Sequence, residues 1–211
     1  MAWTTPKTDF APGNVLTAAQ MNAIGNNLDA LYDRTGLVLV SPTTVSGTGV
    51  SITGNGTVTF TSATVVNING CFTSEFDQYR LMLSYTGSAS GATTLRVRAA
   101  GTDLTTSTYK WISPYWQAIV GGGPGVDQSN SDTSINFAFS GAVRSLATYD
   151  VADPFQAQNT VFTGLQVDNR ATLVGTTRWS VVNNTTSYDG FSLTPPSGNI
   201  TGTIRIYGYS K

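Results

Sequence analysis

Histidine is absent from this 211-residue chain, cysteine occurs once, and charged side chains make up only 11% of the residues. Each shortage removes a class of function. Without histidine the chain lacks the commonest general base and the commonest transition-metal ligand. Neither a Ser-His-Asp nor a Cys-His arrangement can be assembled from it. The lone Cys71 excludes an intrachain disulfide framework. Set between Asn67-Ile68-Asn69-Gly70 and Phe72, it reads as a small buried hydrophobe and not as a reactive thiol. With 11 basic and 12 acidic residues the formal charge is -1, which offers no electrostatic footprint for nucleic acid or an anionic membrane. Apolar runs such as Leu37-Val38-Leu39-Val40 are too short to span a bilayer, and the first residues lack the basic segment and apolar core of a signal peptide. The expectation is a non-enzymatic protein without metal, cofactor, nucleic-acid partner or membrane insertion.

What is abundant is Thr, Ser, Asn and Gly, the makings of a neutral polar surface. Three zones follow along the chain. Residues 1–36 read as an extended arm, punctuated by Pro6, Pro12 and Gly13, leading into a helix. Thr17-Ala18-Ala19-Gln20 has the form of a capping box, in which the threonine hydroxyl and glutamine amide satisfy each other's backbone donors. Beyond it, Met21, Ile24, Leu28 and Leu31 recur at spacings of three, four and three, an a/d seam that Thr17 extends by one position. So narrow a stripe, with Asn22, Asn26, Asn27, Asp29 and Asp33 on the other faces, suits packing against copies of itself. Packing on the chain's own β-domain is the alternative. Gly36 is placed to stop the helix.

Residues 37–56, carrying Gly47, Gly49, Gly54 and Gly56, read as a linker or neck. From 57 to 211 the chain reads as strands. Thr57-Val58-Thr59-Phe60, Arg80-Leu81-Met82-Leu83, Ile135-Asn136-Phe137-Ala138-Phe139 and Gly202-Thr203-Ile204-Arg205-Ile206 have the β-branched and aromatic content, or the alternation, of strands. Nine or so such runs, parted by turns such as Gly54-Asn55-Gly56 and Pro195-Pro196-Ser197-Gly198, predict a mainly β protein, an antiparallel β-sandwich of jelly-roll type behind the helix.

The N-terminal residues carry a resemblance. Trp3-Thr4-Thr5-Pro6, then Gly13-Asn14-Val15-Leu16-Thr17-Ala18-Ala19-Gln20-Met21-Asn22, is similar to the module that opens many minor tail, tail-fibre and head-associated proteins of tailed bacteriophages, notably those of actinobacteria. The last strand-like stretch, Gly202 to Tyr209, also resembles the terminal strand of phage fibre and spike domains. The resemblance implies a homotrimeric virion protein, assembled in the host cytoplasm and released by lysis. Its arm (Trp3, Pro6, Phe10, Pro12) would hold another virion protein of tail, baseplate or capsid, and its β-domain would face the host. A tail fibre or receptor-binding subunit is the first expectation, a capsid decoration or head-fibre protein the second, and a polysaccharide-degrading enzyme a distant third.

Other motifs read as ordinary structure. Asp150 and Asp153 are the only carboxylates grouped in a way that invites a glycosidase reading, and Asp-Pro there is turn chemistry in a loop. Asp127-Gln128-Ser129-Asn130-Ser131-Asp132 has alternating oxygen ligands but lacks the glycine and glutamate of a calcium loop, so a solvated loop is expected. Gly121 to Gly125 lacks the Lys-Ser or Lys-Thr of a phosphate cradle. Arg96 and Arg98 read as a solvated strand face. The richest cluster is Tyr109-Lys110-Trp111-Ile112-Ser113-Pro114-Tyr115-Trp116, four large rings in eight residues. There Trp111, Tyr115 and Trp116 are candidates for stacking on a host cell-wall glycan, against the alternative that they fill the core or a subunit interface.

Overall fold

The structure is a computed structural model that describes residues 15–32, 36–118, 123–169 and 173–210. It contains one helix and sixteen strands among those residues: α1 (Ala18–Tyr32), β1 (Leu37–Leu39), β2 (Thr44–Ser46), β3 (Val50–Ile52), β4 (Val58–Ala63), β5 (Val66–Asn69), β6 (Gln78–Gly87), β7 (Gly91–Ala99), β8 (Thr102–Asp103), β9 (Tyr109–Gln117), β10 (Gly125–Asp132), β11 (Ile135–Ser140), β12 (Ser145–Ala152), β13 (Thr160–Asn169), β14 (Leu173–Val182), β15 (Gly190–Thr194) and β16 (Ile200–Tyr209). The chain divides into two compact units, Met1–Val38 with Ser210–Lys211, and Leu39–Tyr209.

In the first unit the capping box forms as the sequence predicts. The Thr17 N–H donates to Gln20 Oε1 at 2.8 Å, and the Gln20 N–H donates to Thr17 Oγ1 at 3.3 Å. Two of the orphan donors of the helix start are thereby satisfied. Gly36 adopts φ 68°, a left-handed conformation that favours glycine, and its carbonyl accepts the Ser210 N–H. The arm residues Trp3, Pro6, Phe10 and Pro12 lie outside the described residues.

The second unit is the expected antiparallel sandwich. One sheet runs β10-β9-β14-β13-β12-β6-β16-β4-β3, the other β11-β7-β15-β5-β2 with β8 beside β7. Alternation decides what lies between them. Tyr79, Leu81, Leu83 and Tyr85 of β6 point inward, as do Ile204 and Ile206 of β16, and all are buried against Leu95, Val97, Phe191 and Leu193 of the smaller sheet. Aromatic contacts join the layers. Phe72 meets Tyr79 edge-on at 4.8 Å, and Phe137 of β11 stacks on Tyr149 of β12 at 4.1 Å. Gly164, opposite Tyr149 across the β12–β13 ladder, makes room for that ring, since a Cβ there would come within 2.4 Å of it.

Residues 37–56 differ from the expected neck. β2 pairs with β5 and β3 with β4, so residues 39–56 are part of the sandwich unit. Their glycines serve turns, as at Gly49, where φ is 71° and a Cβ would lie 2.1 Å from the Thr61 carbonyl oxygen. Two expected loops are strands as well. Asp127 to Asp132 belongs to β10, an edge strand whose polar side chains on both faces hide it from alternation reading. Asp150 belongs to β12, the middle strand of that nine-strand order, and only Asp153 beyond it has the turn conformation, with φ 57°.

Candidate functional site

The larger sheet changes character along its width. In β6, β16 and β4 the inner side chains are apolar. In β9, β14 and β13 the inner positions include Ser113, Thr176, Arg178, Ser180, Gln166 and Asp168, all buried. The outer positions of the same strands hold Ile112, Trp116, Val161, Leu165, Val167, Leu173 and Trp179, all exposed. Inside, these polar residues are interleaved with buried Tyr109, Trp111, Phe162, Val174 and Val182, so the interior is mixed while much of the outer face is apolar.

The edge of the smaller sheet explains much of the polar interior. β11 is the last strand of that sheet, and its outer edge needs hydrogen-bond partners. Gln166 of β13 supplies both groups of an artificial strand: its Oε1 accepts the Phe139 N–H at 2.9 Å, and its Nε2 donates to the Phe139 carbonyl at 2.8 Å. Two residues away, the Tyr149 hydroxyl donates to the Phe137 carbonyl. Burial pushes that phenol up to about 12, so it remains a donor at any physiological pH.

Arg178 is only 1% exposed, as is Asp168. Its Nε and Nη2 donate to Ser113 Oγ at 3.1 and 2.9 Å, and its guanidinium sits 5.9 Å from the centre of the Phe139 ring. Burial lowers its pKa from the ordinary arginine value.

On the outer face, Trp179 floors an open groove of about 650 Å³ at the β10 edge. Trp111, Ile112, Val161 and Val181 add to its lining, and Lys110, Gln128, Asn130 and Thr163 bring polar groups to it. Trp179 is 48% exposed, enough to offer a ring face to a ligand. The sequence reading missed Trp179. Its signal was available in Arg178-Trp179-Ser180, where strict alternation must send the arginine and the tryptophan to opposite faces.

The predicted site residues divide accordingly. Trp111 is buried, and its Nε1 donates to Asp132 Oδ2 at 3.3 Å, so its ring belongs to the interior face. Tyr115 is half-buried, its ring lying over Gly125, where a Cβ would come within 2.3 Å of it. Trp116 is exposed on the outer face. Met21, Ile24 and Leu28 of the helix seam are exposed, as is Thr17, while the side chain of Leu31 lies outside the described residues.

Asp150 takes no part in a carboxylate pair. Arg80 grips it with two 2.8 Å hydrogen bonds, Nε to Oδ1 and Nη2 to Oδ2, and the Tyr209 hydroxyl donates to Oδ1 at 2.8 Å. The Arg80 bonds hold its carboxyl below the usual range. Asp153 is bound through its backbone N–H to the Asp77 carbonyl.

Arg98 departs from the expected solvated face. It is largely buried, donating to Asn69 Oδ1 at 2.9 Å and Asn67 Oδ1 at 2.8 Å, and pairing with Asp103. Cys71 is fully buried, and desolvation raises its thiol pKa, which keeps it protonated and inert. Among the described residues, no helix is long and apolar enough to cross a membrane.

No protein-family model matches the chain, and no curated protein does. Among solved structures it is similar to the SPRY domain of human HERC1, at 9% identity and a TM-score of 0.32, covering 80% of this chain and 97% of that one. It is also similar to lectin II from Ulex europaeus, at 6% identity and a TM-score of 0.24, covering 80% and 94%. At such values the likeness carries no argument about function. What the coordinates define is a class: a mainly β chain with one short helix, built as an antiparallel sandwich.

Proposed function

We propose that this chain is a structural protein of a tailed-bacteriophage particle, attached through residues 1–36 and displaying its β-sandwich towards the host surface. The observation that carries the reading is the helix. A capped helix of 15 residues, whose seam members Met21, Ile24 and Leu28 are exposed, is marginal alone and gains stability by burying that seam. Copies of itself, three by the resemblance, are the partner that a heptad spacing fits. The phage-like arm motif directly before the helix supplies the attachment. A tail fibre or receptor-binding subunit is the primary role, and the Trp179 groove is the part of the sandwich suited to host contact. Its work is binding and not catalysis.

The test uses the full chain and a Met21→Glu/Leu28→Glu variant. Light scattering should give about three times the 22.2 kDa chain mass for the first and a lower mass for the second. Antibody against the sandwich should label particles in negative-stain images and block adsorption. Few labels at the tail fit the fibre role, whereas dense labelling of heads fits a decoration protein. Unlabelled particles would sink the proposal.

A further inference from the structure

The apolar outer face is wider than the Trp179 groove, and its middle has a shape of its own. Leu165, 64% exposed, projects from β13. On β14, Thr177 stands opposite Leu165 and Gly175 opposite Val167. A Cβ placed on Gly175 would meet nothing within 4 Å, and Trp116, opposite Gly175 on β9, is itself exposed. The face therefore carries a knob at Leu165 and, one pleat repeat along the neighbouring strand, a dent over Gly175.

We propose that this face docks a second copy of the same chain, with Leu165 of each copy seated over Gly175 of another. Three observations favour a copy over any other occupant. First, knob and dent lie on one surface, so the surface is complementary to itself. Second, the outward residues Trp116, Leu146, Thr148, Leu165, Val167 and Thr177 carry no charge. On the same face Asp150 is held by Arg80. Apart from Lys110 at the Trp179 groove, a charged partner finds little to pair with, and two copies that leave that groove open meet without stranding an ion. Third, the size fits. Five strands at about 4.8 Å and eight residues at about 3.4 Å give a footprint of roughly 650 Å². A standard interface buries about 800 Å² of corrugated surface per partner. Isolated monomers rarely leave so large an apolar patch open.

The inference does not depend on the helix seam, and the experiment keeps the two apart. Light scattering compares the full chain with Leu165→Glu, Gly175→Leu and the seam variant Leu28→Glu, with a thermal melt on each. The expected result is a dissociation constant at least about tenfold higher for Leu165→Glu and Gly175→Leu at an unchanged melting temperature. In parallel, a tagged Leu165→Cys copy mixed with an untagged Gly175→Cys copy should form a disulfide-linked pair on mild oxidation. Neither variant should do so alone at a comparable yield. If either face variant melts early, the cross-link decides.

Wild-type mass retained by both face variants, without the mixed cross-link, overturns the proposal. If Leu28→Glu dissociates the assembly in that case, the helix reading stands while this one falls. A wild-type chain that is monomeric at about 100 µM overturns the proposal too, since an interface of this size holds at or below micromolar concentrations, and another protein or a lipid surface then covers the face.

Discussion

The two halves of the larger sheet bury different mixtures of side chain, one almost wholly apolar and the other apolar and polar together. Around β6, β16 and β4 the interior is Leu81, Leu83, Ile204, Ile206, Val58 and Phe60, and the outer positions include Arg80, Thr203 and Arg205. Around β13, β14 and β9 the interior carries Gln166, Arg178 and Ser113, and the exterior carries Leu165, Val167 and Trp179. The first half is a sandwich core held by removal of apolar area from water. The second lies against the open edge of β11, where backbone groups need partners more than they need apolar cover. An apolar exterior on a layer with a polar interior has a reason only if something else covers it.

Leu83→Ala, in the apolar half, should lower unfolding free energy by about 2–5 kcal/mol in a urea titration, the cost of a buried leucine and its cavity. A loss under about 1 kcal/mol would mean that the half is loosely packed. Next comes the edge clamp. Gln166→Leu leaves the Phe139 N–H and carbonyl without their side-chain partners, at about 1–3 kcal/mol for each buried group. Hydrogen exchange at Phe139 should accelerate before global unfolding, and unchanged protection would deny the clamp its role.

Arg178→Met should be close to neutral by comparison, because relief of the cost of burying the guanidinium is offset by loss of its attraction to Asp168 and Asp127. Arg178 has only Ser113 as a hydrogen-bond partner for two of its nitrogens, and Nη1 has none among the described residues. A large loss would show that the guanidinium holds the polar half together.

The smallest effect is at Asp150. Its carboxyl is held low in the folded state, so its contribution is fully present above the unfolded value of 3.8 and fades as pH falls through the folded one. Because both partners are partly exposed, the effect is at most about 1 kcal/mol. Asp150→Asn should flatten the stability difference between about pH 5 and pH 2, and wild-type and variant curves that stay parallel would remove the Arg80 pair from the account.

Much of this was legible in the sequence. The capping box needed only Thr17 and Gln20 three residues apart, because its bonds close within one turn. The antiparallel sandwich followed from short β-branched runs divided by turn residues. Strands β9, β10 and β12 were harder to see. β10 is polar on both faces, β9 has a proline and an aromatic at nearly every turn of the pleat, and β12 ends in an Asp-Pro turn that drew attention from its alternation. The candidate site was half legible. Of the three aromatic candidates, Trp116 is exposed, Trp111 is buried and Tyr115 is half-buried, while exposed Trp179 had no place in the sequence reading.

The helix start, the seam spacing and the mainly β class are dictated locally, since each rests on neighbours within a few residues, and the lack of imidazole is a matter of composition. Which face of each strand is inside depends on long-range packing. Alternation defines two faces but cannot say which one meets the other sheet. That choice was settled by where β11 ends, because its bare edge drew Gln166 and Tyr149 inward and turned Leu165, Val167 and Trp179 out.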